Sequence, residues 1–247
     1  MNAVWVVESG SISGGVRVIL EYATRLAKRG HKEIIASLDY QPNWFDCSGL
    51  DWWVFPDYNV MMQHLKTVEA KKIATWWKTA HFLKNGAKEG EGHYLVQDIE
   101  SSYYCRPIER VNVENTYKMG LKMFTPNKWV NDQMPDVSWI GQAYDDRFYK
   151  RMKLAYPTKN RVLATARRHA LKWLSEWGDV SRTRPVIDKS IEMMTFGQDP
   201  VVQFVGAHKR HASKPSDRDV VRMYSEGTVF ASTSQHEGFS LSPLEAM

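Results

Sequence analysis

The sequence predicts an α/β protein of two domains, each a parallel sheet flanked by helices. Three observations point there. Short apolar or β-branched runs alternate with helix-period segments in both halves of the chain. Glycine- and serine-containing loops sit at strand-to-helix junctions near both ends. A polar, charged stretch over residues 142–159, which includes Pro157, separates the halves and reads as a linker.

The first strand is Ala3-Val7, followed by the small-residue loop Ser9-Gly10-Ser11-Ile12-Ser13-Gly14-Gly15. Val16, Ile19, Leu20, Ala23, Leu26 and Ala27 then recur at helical spacing, predicting a helix over Val16-Arg29 that stops at Gly30. Strands are predicted at Glu33-Leu38, Trp52-Phe55, Lys72-Trp76, Tyr94-Gln97, Leu121-Thr125 and Val137-Ile140, which completes one Rossmann-like domain over residues 1–141. After the linker, residues 160–247 repeat the pattern with Arg161-Thr165, Val201-Val205 and Thr228-Ala231, and with a helix beginning near Pro243. About 90 residues is short beside the roughly 100–150 of a typical doubly wound domain, so the second domain reads as incomplete.

Composition narrows the function classes. The 247 residues are 43% hydrophobic and 25% charged, an ordinary globular balance. No stretch approaches the roughly 20 apolar residues of a membrane span, and a cytoplasmic protein without a transmembrane segment is expected. Cys47 and Cys105 are too few for a disulfide framework and lack zinc-site spacing. The net charge of +5 leans toward anionic partners, for which a nucleoside diphosphate suffices. Ten Trp, eleven Tyr and nine Phe suit either cores or stacking on sugars and bases. Asp145 and Asp146 are adjacent rather than spaced by one, so no D-x-D metal motif occurs, and no metal is expected.

The sharpest feature is Ser234-Gln235-His236-Glu237-Gly238-Phe239-Ser240-Leu241-Ser242-Pro243-Leu244-Glu245-Ala246-Met247, directly after an apolar strand. A strand, a glycine-containing loop and a helix start form an anion site, because free backbone N–H groups and the helix dipole point at the loop. Pro243 fits the first helical turn, where its missing N–H costs nothing. Glu237 in the loop and Glu245 one turn into the helix are placed to face one crevice at the carboxyl end of the strand.

This segment resembles the retaining glycosyltransferases of family 4, whose pattern E-G-F-x-L-x-x-x-E-A is matched throughout by residues 237–246. The resemblance implies the GT-B architecture, two Rossmann-like domains facing across a cleft. It also implies that Glu237 holds hydroxyls of the donor sugar, Glu245 the ribose hydroxyls, and the N–H groups of Gly238, Phe239, Ser240 and Leu241 the diphosphate. The family's Arg and Lys, five residues apart after a strand, correspond to Arg167 and Lys172 in Ala164-Thr165-Ala166-Arg167-Arg168-His169-Ala170-Leu171-Lys172-Trp173. Trp173 stands where the family usually has Gly, which leaves Arg168 as an alternative to Arg167. Two cations facing a pyrophosphate are what departure of a nucleoside diphosphate demands.

Gly14 and Gly15, with a helix ending in Arg29-Gly30-His31, are similar to the family's opening and imply close backbone approach to the donor. Ala74-Thr75-Trp76-Trp77 and Val96-Gln97-Asp98-Ile99-Glu100 resemble a subgroup with A-T-x-W and V-Q-D-x-E, which places Asp98 as a catalytic candidate or as a cap of the next segment. The implied reaction moves a sugar from a nucleoside diphosphate sugar to an acceptor hydroxyl with retention of configuration and no cofactor beyond the donor. The acceptor is left open as a glycan, a small molecule or DNA. A DNA-modifying transferase acting on a hydroxylated base and a GT-B sugar-nucleotide epimerase are the alternatives, and a non-enzymatic nucleic-acid binder leaves the glutamate motif unexplained.

Overall fold

The computed structural model describes residues 2–142, 160–166, 191–198, 210–232, 234 and 240–247. The chain divides into two compact units, Met1–Tyr144 and Asp145–Met247.

The first unit is built on seven parallel strands: β1 (Asn2–Val7), β2 (Lys32–Ser37), β3 (Asp51–Val54), β4 (Lys71–Ala74), β5 (Gly92–Leu95), β6 (Lys122–Thr125) and β7 (Ser138–Trp139). They pair in the order β3-β2-β1-β4-β5-β6-β7. The connecting helices are α1 (Gly14–Ala27), α2 (Tyr58–Leu65), α3 (Trp77–Gly86), α4 (Pro107–Thr116) and α5 (Lys128–Gln133). Strands in such a sheet are buried on both faces, which is why β1 is apolar at nearly every position. Val4 and Val6 join Met61, Leu65, Ala80 and Leu83 on one side, while Ala3, Trp5 and Val7 meet Ile19, Leu20 and Ala23 of α1 on the other. Trp5 on that second side donates its indole N–H to buried Glu33 at 2.7 Å.

The second unit carries a four-stranded parallel sheet of β8 (Arg161–Thr165), β9 (Glu192–Gly197), β10 (Arg210–Ser213) and β11 (Val229–Phe230), ordered β10-β9-β8-β11. Two helices are described, α6 (Asp217–Glu226) and α7 (Leu241–Ala246). Leu163, Met194, Phe196 and Met223 form a core between sheet and α6. At the start of β8, Arg161 is paired with Glu192 at 2.8 Å and with Glu226, fastening α6 to the sheet. Ser216 caps α6 by accepting from the Asp219 N–H at 3.2 Å.

Strands β9 and β10 are not predicted from the sequence. The segment Glu-Met-Met-Thr-Phe-Gly neither alternates nor is rich in β-branched residues, and it becomes a strand because both its faces are covered. The predicted strand Val201-Val205 lies outside the described residues. Among the described residues no helix is long and apolar enough to cross a membrane.

Candidate functional site

In an open parallel sheet a crevice forms at the carboxyl ends of the strands where the winding direction reverses. In the first unit that point falls between β1 and β4, which are neighbours in the sheet although β2 and β3 lie between them in sequence. The loop after β1 is the glycine loop, and the loop after β4 is Thr75-Trp76. Thr75 ties them together by donating its hydroxyl to the Val6 carbonyl at 2.8 Å.

Ser13 caps α1, its Oγ accepting from the Val16 N–H at 3.1 Å. Gly14 and Gly15 follow as the first helical residues, so their N–H groups belong to the unpaired first turn. A side chain at Gly15 would stand 3.3 Å from the Gln97 amide, which fills the space that the glycine leaves. Gln97 in turn donates to the Thr75 carbonyl at 3.5 Å. The structure therefore brings the glycine loop, the Thr75 loop and the loop after β5 to one place.

That third loop is held from within. Asp98 is buried, accepting the Ile99 N–H at 2.7 Å through one oxygen and the Tyr103 hydroxyl through the other. Glu100, two residues on, opens one turn of 3-10 helix over Glu100–Tyr103. It is 5% exposed, and its carboxyl accepts the Trp77 N–H at 2.8 Å. The start of α3, where Trp76 provides no side-chain cap, is thus capped from a distant loop. Burial pushes the Glu100 carboxyl up to about 8, opposed by the Trp77 N–H and reinforced by Asp98. At the rim, Trp77 donates to the Tyr104 hydroxyl at 2.7 Å, and the Lys78 ammonium lies 4.4 Å from the Trp76 ring centre.

In the second unit the reversal falls between β8 and β11, paired through Val162 with Val229 and Leu163 with Phe230. Apart from Gly14 and Gly15 of the first unit, the residues expected from sequence to handle the donor follow these two strands. Arg167 and Lys172 come after β8, and the glutamate motif comes after β11. Arg167, Lys172, Glu237, Gly238 and Phe239 lie outside the described residues, whereas Ser240, Leu241 and Glu245 lie within them. Ser240 stands at the start of α7 without a side-chain capping bond, and Pro243 falls in the first turn. Glu245, half-buried, accepts from the Tyr224 hydroxyl at 3.2 Å. Tyr224 is wedged edge-on between Phe196 and Phe230, so the aromatic core of the unit orients the carboxylate.

Ala166, the last described residue before Arg167, donates its N–H to the Phe196 carbonyl at 2.8 Å. A β-carbon at Gly197 would stand 2.0 Å from the Ala166 carbonyl oxygen, a distance that no side chain tolerates. Gly197 and Tyr224 are not signalled by sequence pattern, and for Gln97 and Glu100, which stand in the V-Q-D-x-E match, the pattern does not give their contacts. The partners that give them these roles, Ala166, Glu245, Gly15, Thr75 and Trp77, are 21 to 82 positions away. Among the described residues no three His, Cys, Asp or Glu side chains converge as metal ligands.

No protein-family model matches the chain, and no curated protein matches it by sequence. Solved structures are similar to it in fold. The crystal structure of Anabaena HepE in complex with UDP and glucose matches with a TM-score of 0.75 at 12% identity, over 99% of this chain and 77% of that one. WaaG, a glycosyltransferase involved in lipopolysaccharide biosynthesis, matches with a TM-score of 0.71 at 12% identity, over 99% and 78%. An alpha-glucosyltransferase in complex with UDP-glucose and DNA containing an abasic site matches with a TM-score of 0.61 at 11% identity, over 99% and 76%. The chain therefore has the GT-B fold of glycosyltransferases, with two parallel α/β units.

Proposed function

We propose that the protein is a retaining glycosyltransferase, similar to those of family 4, that moves a sugar from a nucleoside diphosphate to an acceptor hydroxyl in the cytoplasm. The observation that carries this reading is the position of Glu245. It stands on the helix that follows β11, the strand paired with β8 where the second sheet reverses, accepts from the Tyr224 hydroxyl, and belongs to a complete E-x7-E decapeptide. In this reading Glu245 accepts hydrogen bonds from the ribose hydroxyls and Glu237 from the donor sugar. The N–H groups of residues 238–241 approach the diphosphate.

The bond from the anomeric carbon to the phosphate oxygen breaks, and the bond to the acceptor oxygen forms on the same face. The departing phosphate oxygen takes the acceptor proton, while Arg167 and Lys172 stabilise the charge left on the diphosphate. No metal is required, because those two cations supply the compensation. Asp98 is a positioning residue here. Both its oxygens are committed to shaping the loop that carries Gln97 toward Gly15.

The test is thermal stabilisation by UDP, ADP, GDP and their sugar conjugates, followed by slow hydrolysis of the conjugate that stabilises. A charge-assisted hydrogen bond is worth about 1.5–3 kcal/mol, so Glu245→Gln weakens nucleoside diphosphate binding roughly 10- to 150-fold. Glu237→Gln leaves that affinity nearly intact and depresses turnover of the sugar nucleotide. Absence of stabilisation by every nucleotide, or identical behaviour of the two variants, refutes the assignment. A nucleic-acid acceptor is the second reading, favoured by the DNA-bound alpha-glucosyltransferase of the same fold and by the net charge of +5.

A further inference from the structure

The parallel sheet of the first unit has a second edge, formed by the amino ends of its strands, which the proposed reaction does not use. Because the strands are parallel and nearly level, with Ala3 opposite Lys71, Lys72 opposite Gly92 and His93 opposite Lys122, the helix-to-strand turns preceding them share that edge. Each of the four turns that lead into β2, β4, β5 and β6 carries exposed cations. Lys28 and Arg29 precede β2, Lys66 precedes β4, Lys88 precedes β5, and Lys118 and Lys122 flank the turn into β6. None of these six makes an ion pair among the described residues.

Two further lysines add charge without meeting a carboxylate. Lys71 donates to the Gly90 carbonyl at 3.1 Å and Lys84 to the Met119 carbonyl at 2.7 Å, each joining one turn to the next. The acids of this edge are fewer. Glu69 and Glu89 are exposed, Asp51 faces Lys32 at 3.6 Å, and Glu91 is taken by buried Lys72 at 2.5 Å. The field is felt at His93, held below its usual range first by burial and then by Lys71 and Lys122. The acids Glu8, Asp39, Asp98 and Glu100 lie toward the other edge, after β1, β2 and β5.

We propose that this cationic edge binds the phosphate backbone of duplex DNA. From β2 to β6 there are four interstrand steps of about 4.8 Å, or about 19 Å, and a duplex offers one phosphate per roughly 1.7 Å of its axis. The exposed large hydrophobic residues, including Tyr40, Ile108, Trp129 and Trp139, all lie outside the lysine-bearing turns. A lipid surface is held stably when charge is joined by an apolar insertion, and this edge has charge alone. A dense polyanion that gains from counterion release fits it better. The contact is sequence-independent and lies on the edge of the sheet opposite the glycine loop of the same unit, so it tethers rather than positions an acceptor.

The test is fluorescence anisotropy of an end-labelled 24-base-pair duplex with the full chain across 50–200 mM NaCl, without nucleotide sugar. The comparison variant is Lys66→Ala/Lys88→Ala/Lys118→Ala/Lys122→Ala, four exposed positions where truncation is tolerated. At about 0.9 per phosphate contact, the variant's log–log salt slope is shallower by about 3.6, and the wild type loses about 100-fold more affinity than the variant over that range. Vesicles of phosphatidylcholine with phosphatidylglycerol are expected to leave the protein in solution. Equal slopes for the two proteins, no binding of duplex by the wild type, or capture by the anionic vesicles in place of DNA would overturn the proposal. UDP-dependent thermal stabilisation of the same variant reports the donor site separately, so either reading fails without the other.

Discussion

Glu100→Gln separates the titration of a buried carboxyl from the hydrogen bond that it makes. Glu100 sits under the loop after β5, accepts the Trp77 N–H at 2.8 Å, and has its carboxyl raised from 4.5 to about 8 chiefly by burial. A carboxyl raised in the folded state keeps a proton that the unfolded chain has released. Stability is therefore complete below about pH 4.5 and is lost as pH climbs toward 8. The whole span is worth several kcal/mol, at about 1.4 kcal/mol per pH unit, and roughly half of it falls between pH 5 and pH 7. Glutamine offers the same acceptor to Trp77 and does not titrate. Urea unfolding of both proteins at pH 5, 6, 7 and 8, followed by tryptophan fluorescence, is expected to show the variant gaining on the wild type with each step. A difference independent of pH refutes the argument, because it leaves Glu100 ionised or solvated at the foot of α3.

Four other substitutions follow from the second unit. Gly197→Ala drives a β-carbon into the Ala166 carbonyl, a backbone atom that cannot step aside, and is expected to cost about 3 kcal/mol or more in a thermal or chemical melt. Tyr224→Phe removes only the hydroxyl that orients Glu245, so nucleoside diphosphate affinity should fall by about 0.5–1.5 kcal/mol, or roughly 2- to 12-fold, with the melting temperature little changed. Calorimetric titration distinguishes that result from general destabilisation. Arg167→Ala and Lys172→Ala should each weaken binding of nucleoside diphosphate more than of the uncharged nucleoside, and equal losses for both ligands reject a phosphate-facing role.

What the chain reveals by pattern and what it reveals only when folded divide along physical lines. Apolar runs such as Ala3-Val7 and the helical spacing of Val16 to Ala27 announce their elements, because a buried strand and an amphipathic helix impose periods that composition displays. The decapeptide from Glu237 to Ala246 is legible as a motif because its residues are consecutive. The strands Glu192–Gly197 and Arg210–Ser213 escape, since neither has a period and each exists by pairing with a neighbour. Asp98 reads from sequence as either catalyst or cap, and the structure adds its bonds to the Ile99 N–H and the Tyr103 hydroxyl, which no spacing announces. Which loops share a crevice depends on strand order, and only the pairing of β1 with β4 and of β8 with β11 decides it. Lysines scattered from position 28 to position 122 likewise become one charged edge only because parallel strands begin level with one another. Local periodicity is written in neighbouring residues, whereas a site assembled from several turns depends on a sheet whose order no single segment encodes.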